Sequence, residues 1–314
     1  MNQQAISLSV IIPITEKRIE DINVLHKNYT SGLDLLNQSY ELIFVIDGER
    51  KDIFNKIKAL KESNDNIKII TLAKSFGESV AITVGHEYAS GEVIITLPPY
   101  IQVESKELPL LLENLADVDM VIANRSPRND PQINQLQAKM FHNILNRVTE
   151  IELHDVGCSV RAFKRNVLDE VDLYGDLHRF LPHLAFKKGF KVKEVNLKQA
   201  QEDTHKRVHS VGIYTRRMLD LLTVFFLTKF TKKPLRFFGL IGTFTFSLGL
   251  IITTYLIFDR IFFDVALADR PALVISSLFM VLGVQVLAIG LIGEIIIFTH
   301  AKDQKEYTVE EVIN

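Results

Sequence analysis

Glu41-Leu42-Ile43-Phe44-Val45-Ile46-Asp47-Gly48 is the stretch whose reading decides the fold. Nothing polar interrupts it between Leu42 and Ile46, so the strand it predicts is buried on both faces, as in a parallel sheet covered by helices. Runs of the same kind occur at Ser7–Pro13, Ile67–Ala73, Glu92–Leu97, Met120–Ala123 and Lys191–Asn196. Longer stretches separate the first three, Lys17–Asn37 and Arg50–Asn64, in which Ile, Leu and Phe recur at helical spacing. This alternation predicts βαβ units around a mostly parallel sheet. Ligands of such sheets sit beyond the carboxyl ends of the strands. The turns Pro13–Glu16, Asp47–Arg50, Lys74–Glu78 and Pro98–Gln102 are therefore the expected rim of a site.

The C-terminal quarter reads differently. Phe237–Phe258 and Ala272–Thr299 are two long apolar stretches separated by a short charged segment that begins at Asp259-Arg260 and ends at Asp269-Arg270. At about 1.5 Å rise per residue each is long enough to cross a hydrocarbon core of roughly 30 Å as a helix. Basic residues cluster before the first stretch (Arg216, Arg217, Lys229, Lys232, Lys233, Arg236) and follow the second (Lys302, Lys305), so both ends are expected to face the cytoplasm. Between Ile213 and Phe230 charged residues alternate with Leu221, Leu222, Phe225, Phe226 and Leu227, which predicts an interfacial amphipathic helix. The polar stretch from Lys198 to Ser210 reads as a loop. The expected organisation is a globular domain over 1–212, an interfacial helix over 213–236, a transmembrane hairpin over 237–299 and a tail over 300–314.

A chain of 314 residues that is 47% hydrophobic and 24% charged fits a soluble part joined to a membrane part. The start, Met1-Asn2-Gln3-Gln4, has neither a basic region nor an early apolar run, so no signal peptide is expected. The single cysteine, Cys158, has no intrachain partner, in keeping with a reducing compartment, and reads as a small buried side chain. None of the nine histidines falls in a zinc-binding spacing, and no GxSxG elbow or Walker A sequence occurs. Basic residues lie in loops without interleaved aromatic platforms, which argues against a nucleic-acid partner.

Several turns could carry chemistry. Asp47-Gly48 ends a buried strand and could bind a nucleotide base or ribose, or cap the next turn. Lys74 and Phe76-Gly77-Glu78 put a cation beside the start of a helix over Ser79–Tyr88, where a phosphate would be welcome; ordinary loop capping is the plainer reading. Asn124-Arg125-Ser126-Pro127-Arg128 concentrates two guanidiniums in one turn, suited to phosphate or simply solvated. The segment from Asp155 to Phe163 packs an acid, a glycine turn, a hydroxyl and Arg161 into nine positions. Glu294, within the second span, lies either near its cytoplasmic end or paired inside the bundle.

Taken in order, Ser9–Pro13, Phe44–Gly48, Leu72–Glu78, Asp155–Phe163 and Gly290-Leu291-Ile292-Gly293-Glu294 resemble the family 2 polyprenyl-phosphate glycosyltransferases, which include dolichyl-phosphate mannose synthase. Lys233-Pro234-Leu235-Arg236 and Tyr307-Thr308-Val309 look like the membrane-anchored bacterial branch. The resemblance implies a GT-A, Rossmann-like α/β domain that transfers a sugar from a nucleotide donor to a lipid phosphate with inversion, at a bacterial inner membrane with undecaprenyl phosphate as acceptor. It implies donor contacts from Pro13, Glu16, Asp47, Lys74 and Gln102, and lipid-phosphate contacts from Arg125, Arg128, Arg207, Ser210 and Tyr214. Arg161 would face a phosphate, and Asp155 would orient the acceptor or a sugar hydroxyl. The implied partners are a nucleotide sugar, a polyprenyl phosphate and the bilayer, with a homo-oligomer left open.

One departure bears on mechanism. Relatives end the fourth strand with Asp-x-Asp-x-Gln, whose carboxylates hold Mg²⁺ or Mn²⁺ on the donor diphosphate. Here the strand ends Thr96-Leu97-Pro98-Pro99-Tyr100-Ile101-Gln102, with Pro98 and Tyr100 in place of both acids and only Gln102 retained. Ile46 stands where an acid often precedes the Asp-Gly pair, and Thr15-Glu16 replaces a Tyr-Asn-Glu order. Neutral oxygens alone are a weak home for a hard divalent ion. Three readings follow. Lys74, Arg125, Arg128 and Arg161 supply the positive charge of an active enzyme without a metal, or the chain is a non-catalytic lipid-phosphate binder or scaffold, or it is a small transporter or flippase subunit. The last would need polar residues facing across the spans, and the sequence offers mainly Thr243, Thr245, Ser247 and Gln285.

Overall fold

The computed structural model describes residues 7–15, 18–128, 146, 151–203, 219, 234–263, 266 and 270–300. Two compact units divide the chain, the described residues of the first ending at 219 and those of the second beginning at 234.

The first unit is built on a seven-stranded sheet. Its strands are β1 Leu8–Ile14, β2 Tyr40–Ile46, β3 Ile67–Thr71, β4 Val93–Thr96, β5 Met120–Arg125, β6 Arg161–Lys164 and β7 Val192–Leu197. They lie in the order β3-β2-β1-β4-β6-β5-β7. β1 pairs in parallel with both β2 and β4, with Val10 opposite Leu42 on one side and Ile95 on the other. Leu42, Ile43, Phe44, Val45 and Ile46 are all fully buried, as the uninterrupted apolar run requires. Burying a side chain of this size is worth about 1.5–3 kcal/mol before the entropy of ordering it. The exception to the parallel pattern is β6, which inserts antiparallel between β4 and β5. Its four residues, Arg161 to Lys164, carry no alternation long enough to read as a strand.

Helices α1 Ile22–Leu33, α2 Lys51–Lys61 and α3 Glu78–Glu87 follow β1, β2 and β3. α1 starts where Asp21 caps it, its carboxylate accepting the Asn23 N–H at 3.0 Å. It buries Ile22, Leu25, Tyr29 and Leu33, the 3–4 spacing of one helix face. Short helices α4 Pro109–Glu113, α5 Asn166–Glu170 and α6 Leu181–Lys187 also belong to this unit. The strand order reverses between β1 and β4, which makes the loops after these two strands the topological switch point.

In the second unit α7 spans Pro234–Phe263 and α8 spans Pro271–His300, both longer than the apolar runs alone indicated. Both are long and apolar enough to cross a membrane. Large side chains such as Leu240, Phe244, Ile251, Ile261, Leu278 and Ile292 point outward rather than into a protein core. The two helices approach closely through glycines. A Cβ at Gly283 would come within 2.5 Å of the Phe246 amide nitrogen and 2.7 Å of the Gly242 carbonyl oxygen. The small-residue contact continues to Gly249, beside Ser276, and to Thr253, whose hydroxyl donates to that of Ser276 at 2.9 Å. Glu294 accepts the Leu235 N–H at 3.4 Å, so its carboxylate meets the first turn of α7 rather than the middle of the spans.

Candidate active site

Asp47 sits where β2 ends, and its carboxylate is spent on the turn before α3. It accepts from the Phe76 N–H at 2.7 Å, the Ser75 hydroxyl at 2.7 Å and the Gly77 N–H at 3.1 Å. The anion at this helix start is therefore the protein's own carboxylate. Gly77 caps the helix at φ 96°, a conformation in which a side chain would be strained. Lys74 remains exposed, its ammonium 5.2 Å from the centre of the Phe76 ring. Pro13 is buried within β1, opposite Val45.

The loop after β4 is tied down from three sides. The Tyr29 hydroxyl lies 2.7 Å from the Pro98 carbonyl oxygen and 3.0 Å from that of Tyr100. Gln102 is buried; its Nε2 donates to the Tyr100 hydroxyl at 2.8 Å and its Oε1 accepts the Ser159 N–H at 2.9 Å. Cys158, buried beside it, has its thiol pushed up to about 12 by desolvation. The Arg18 guanidinium stacks on the Tyr100 ring, 4.5 Å from its centre, and donates to the Glu202 carbonyl at 2.7 Å.

Next to this loop lies a buried ion network. Asp155 is fully buried and accepts from Arg125 Nε at 2.7 Å, Arg125 Nη2 at 3.0 Å, the Arg125 N–H at 3.3 Å and Arg128 Nη2 at 2.6 Å. Arg125 continues through Nη1 to Asp203, at 2.8 Å, which is equally buried and accepts from Gln199 at 3.1 Å. Burial works to raise the Asp155 pKa, but the adjoining Arg125 guanidinium outweighs it and holds the carboxyl below its usual range. Arg125 is driven the other way: burial would lower its pKa, and Asp155 raises it well above the ordinary value.

Arg161 does not reach this network. Its guanidinium donates to the backbone carbonyls of His178, Arg179 and Val156, so it pins the segment before α6 to the start of β6. Burial pulls its pKa down, and Glu78 is the largest opposing charge. Glu78 itself pairs with His178 Nε2 at 3.2 Å, a contact that overcomes the opposing effect of burial and lowers its pKa. Ser79 accepts the His178 N–H at 3.1 Å.

The structure thus brings Asp155, Arg125 and Arg128 together and links them through the 155–161 segment to Gln102. It separates Arg161 from them and commits Asp47 to a turn. Glu16, Arg207, Ser210 and Tyr214 lie outside the described residues. Arg18 and Asp203 carried no signal in the sequence: each is one of several charges in a polar stretch, and their contacts join positions distant along the chain.

Divalent metal fits this donor set poorly. Among the described residues no group of three His, Cys, Asp or Glu side chains is placed to hold an ion. Pro98 offers no side-chain ligand atom and its carbonyl meets the Tyr29 hydroxyl, the Tyr100 and Gln102 side-chain oxygens already accept hydrogen bonds, and the Asp155 and Asp203 carboxylates are occupied by Arg125. Glu104 is exposed at the start of a 3₁₀ turn.

Comparison with known proteins agrees with this architecture. The chain is 26% identical over 322 residues to the dodecaprenyl-phosphate galacturonate synthase of Rhizobium johnstonii, covering 99% of this chain and 94% of that protein. It is 28% identical over 319 residues to the undecaprenyl-phosphate 4-deoxy-4-formamido-L-arabinose transferase of Shewanella sediminis, covering 99% and 94%. In fold it resembles the mannosyltransferase PcManGT of Pyrobaculum calidifontis, solved with GDP-Man and Mn²⁺, with a TM-score of 0.50 and 11% identity over 96% of this chain and 81% of that one. It likewise resembles the glucosyl-3-phosphoglycerate synthase of Mycobacterium tuberculosis, solved with Mn²⁺ and UDP, with a TM-score of 0.50 and 13% identity over 71% and 79%. The model for "Glycosyl transferase family 2" matches residues 9–172, more than half of the sequence, and the chain belongs to that family of glycosyltransferases.

Proposed function

We propose that this glycosyltransferase moves a sugar from a nucleotide-sugar donor to the phosphate of a polyprenyl phosphate at a bacterial inner membrane, with weak dependence on metal. The observation that carries the reading is the pair of relatives named for polyprenyl-phosphate acceptors, each aligned over nearly the whole chain, spans included. A lipid acceptor also explains why a catalytic domain is joined to two helices apolar enough to enter a bilayer. The basic clusters flanking the spans favour a topology with both ends in the cytoplasm, where nucleotide sugars are made.

The chemistry asks little of a base. One phosphate oxygen of the acceptor, already an anion, attacks the anomeric carbon; the bond from that carbon to the donor diphosphate breaks, and the nucleoside diphosphate leaves with the electron pair. Holding the two reactants in line and neutralising the leaving diphosphate are the larger contributions. Asp155 suits this scheme as the carboxylate that fixes Arg125 and Arg128 in place, since its accepting positions are filled by their guanidiniums. Asp47 and Gln102 act by shaping the donor turns, and Arg128, the more exposed of the two guanidiniums on Asp155, is the one nearer to an incoming phosphate.

The test is transfer of radiolabel from a panel of UDP- and GDP-sugars to undecaprenyl phosphate by the full chain in detergent, beside a related enzyme as control. Labelled lipid from one donor is the expected result. Failure with every donor while the control works would move the chain to the non-catalytic reading, a lipid-phosphate binder or scaffold.

A further inference from the structure

We propose that Arg18 is the fixed cation for the donor diphosphate, standing at the end of β4 in place of a divalent ion. This rests on the transferase reading above. Arg18 lies on the loop after β1 and Tyr100 on the loop after β4, the two strands that flank the switch point of the sheet. A ligand bound by such a sheet crosses that crevice. The guanidinium is held there by three contacts from two segments: its carbon stacks 4.5 Å from the centre of the Tyr100 ring, Nη2 donates to the Glu202 carbonyl at 2.7 Å, and Nη1 lies 3.5 Å from the Asp203 carboxylate. Its platform is equally fixed, through the Tyr29 hydroxyl on the Tyr100 backbone and Gln102 on the Tyr100 phenol.

Exposure points the same way. Among the described residues, ion pairs join Arg18, Arg125 and Arg128 to Asp155 and Asp203. Arg125 and Arg128 side chains are 7% and 20% exposed, whereas that of Arg18 is 37% exposed. Of these three guanidiniums, Arg18 is the one most open to solvent and to a ligand in the crevice. A guanidinium keeps its charge at any working pH and offers a planar fork of donors matched to phosphate oxygens. The same charge would repel a divalent ion seated beside Tyr100, where the available oxygens are already engaged. The residue in register with a metal-binding acid thus serves as the stacking surface for an organic cation.

Calorimetric binding of UDP and of GDP to the full chain in detergent, in EDTA and in Mn²⁺, tests this with wild type, Arg18→Ala and Arg18→Lys. Wild type should bind one nucleotide with nearly the same Kd in EDTA and in Mn²⁺. Arg18→Ala should weaken that binding about 10- to 100-fold, the range for removing a charged hydrogen bond. Arg18→Lys, which keeps the charge but loses the fork, should fall between. Wild-type binding that needs Mn²⁺, or Arg18→Ala binding as well as wild type, would overturn the assignment while leaving the transferase reading intact. Absence of binding of either nucleotide under both conditions would strike the transferase reading itself, and this assignment with it.

Discussion

Replacing Asp155 by Asn should lower the stability of the protein sharply, because the carboxylate holds a buried network together. Its side chain has no solvent exposure and accepts four hydrogen bonds, three from Arg125 and one from Arg128. Asn keeps one accepting oxygen and turns an NH₂ group toward the guanidiniums, so about half of those donors lose their partner while both cations lose the charge of Asp155, Arg125 keeping Asp203. Breaking a buried pair on one side costs about 3–5 kcal/mol, out of a total stability of about 5–15 kcal/mol. In a domain of this size each kcal/mol moves the melting point by about 2–4 °C, so the expected fall is about 6–20 °C. The chain contains no Trp, and thermal unfolding of the full chain in detergent is therefore followed by circular dichroism. A variant that melts within about 2 °C of wild type would refute the network argument. If that variant also lost all transfer, Asp155 would be a group acting directly on substrate.

Two further outcomes follow from other parts of the structure. Asp155, Glu78 and Asp119 all have folded pKa values depressed below their ordinary values, burial opposing the shift in each and Arg125, His178 and the Lys191 amide respectively leading the groups that overcome it. Their contribution to stability is complete above the ordinary values of 3.8 for Asp and 4.5 for Glu, and is lost as pH falls through the lower folded values. The melting point should hold between about pH 7 and 5 and drop below about pH 4; one that rises on acidification from 5 to 3 would contradict these shifts. In the hairpin, Thr253→Cys with Ser276→Cys should form a disulfide under oxidant, since the two hydroxyls lie 2.9 Å apart. Adding Gly283→Leu should cut its yield severalfold, because any Cβ there meets the Phe246 and Gly242 backbone, and an unchanged yield would show that the helices do not meet at Gly283.

How far the sequence reads depends on the range of the interaction. β2 was legible because a strand buried on both faces must be apolar throughout, and Leu42 to Ile46 satisfy that locally. The spans were legible for the same reason, although α7 and α8 extend past the apolar runs at both loop-side ends, where Asp259 and Arg270 approach to 3.5 Å. β6 was not, since four residues with a cation at each end owe their strand state to β4 and β5 on either side. The motif at 155–161 was visible, yet its division of labour was hidden: Asp155 turns to Arg125, while Arg161 turns away to the backbone of His178 and Arg179. Asp47 was readable as either ligand or cap, and only the approach of the Ser75–Gly77 turn decides what its carboxylate binds. Arg18 is the extreme case, an unremarkable loop residue that acquires a role when Tyr100 and Asp203 are folded against it.

The most direct test of the account is to identify both products of one turnover. The full chain, undecaprenyl phosphate and the nucleotide sugar that labels it are incubated in EDTA, and lipid and nucleotide are resolved by mass spectrometry. Attack of the lipid phosphate on the anomeric carbon predicts a lipid carrying one phosphate and one sugar, released with an equal amount of nucleoside diphosphate. A lipid diphosphate sugar with nucleoside monophosphate, or no lipid product at all, would contradict it.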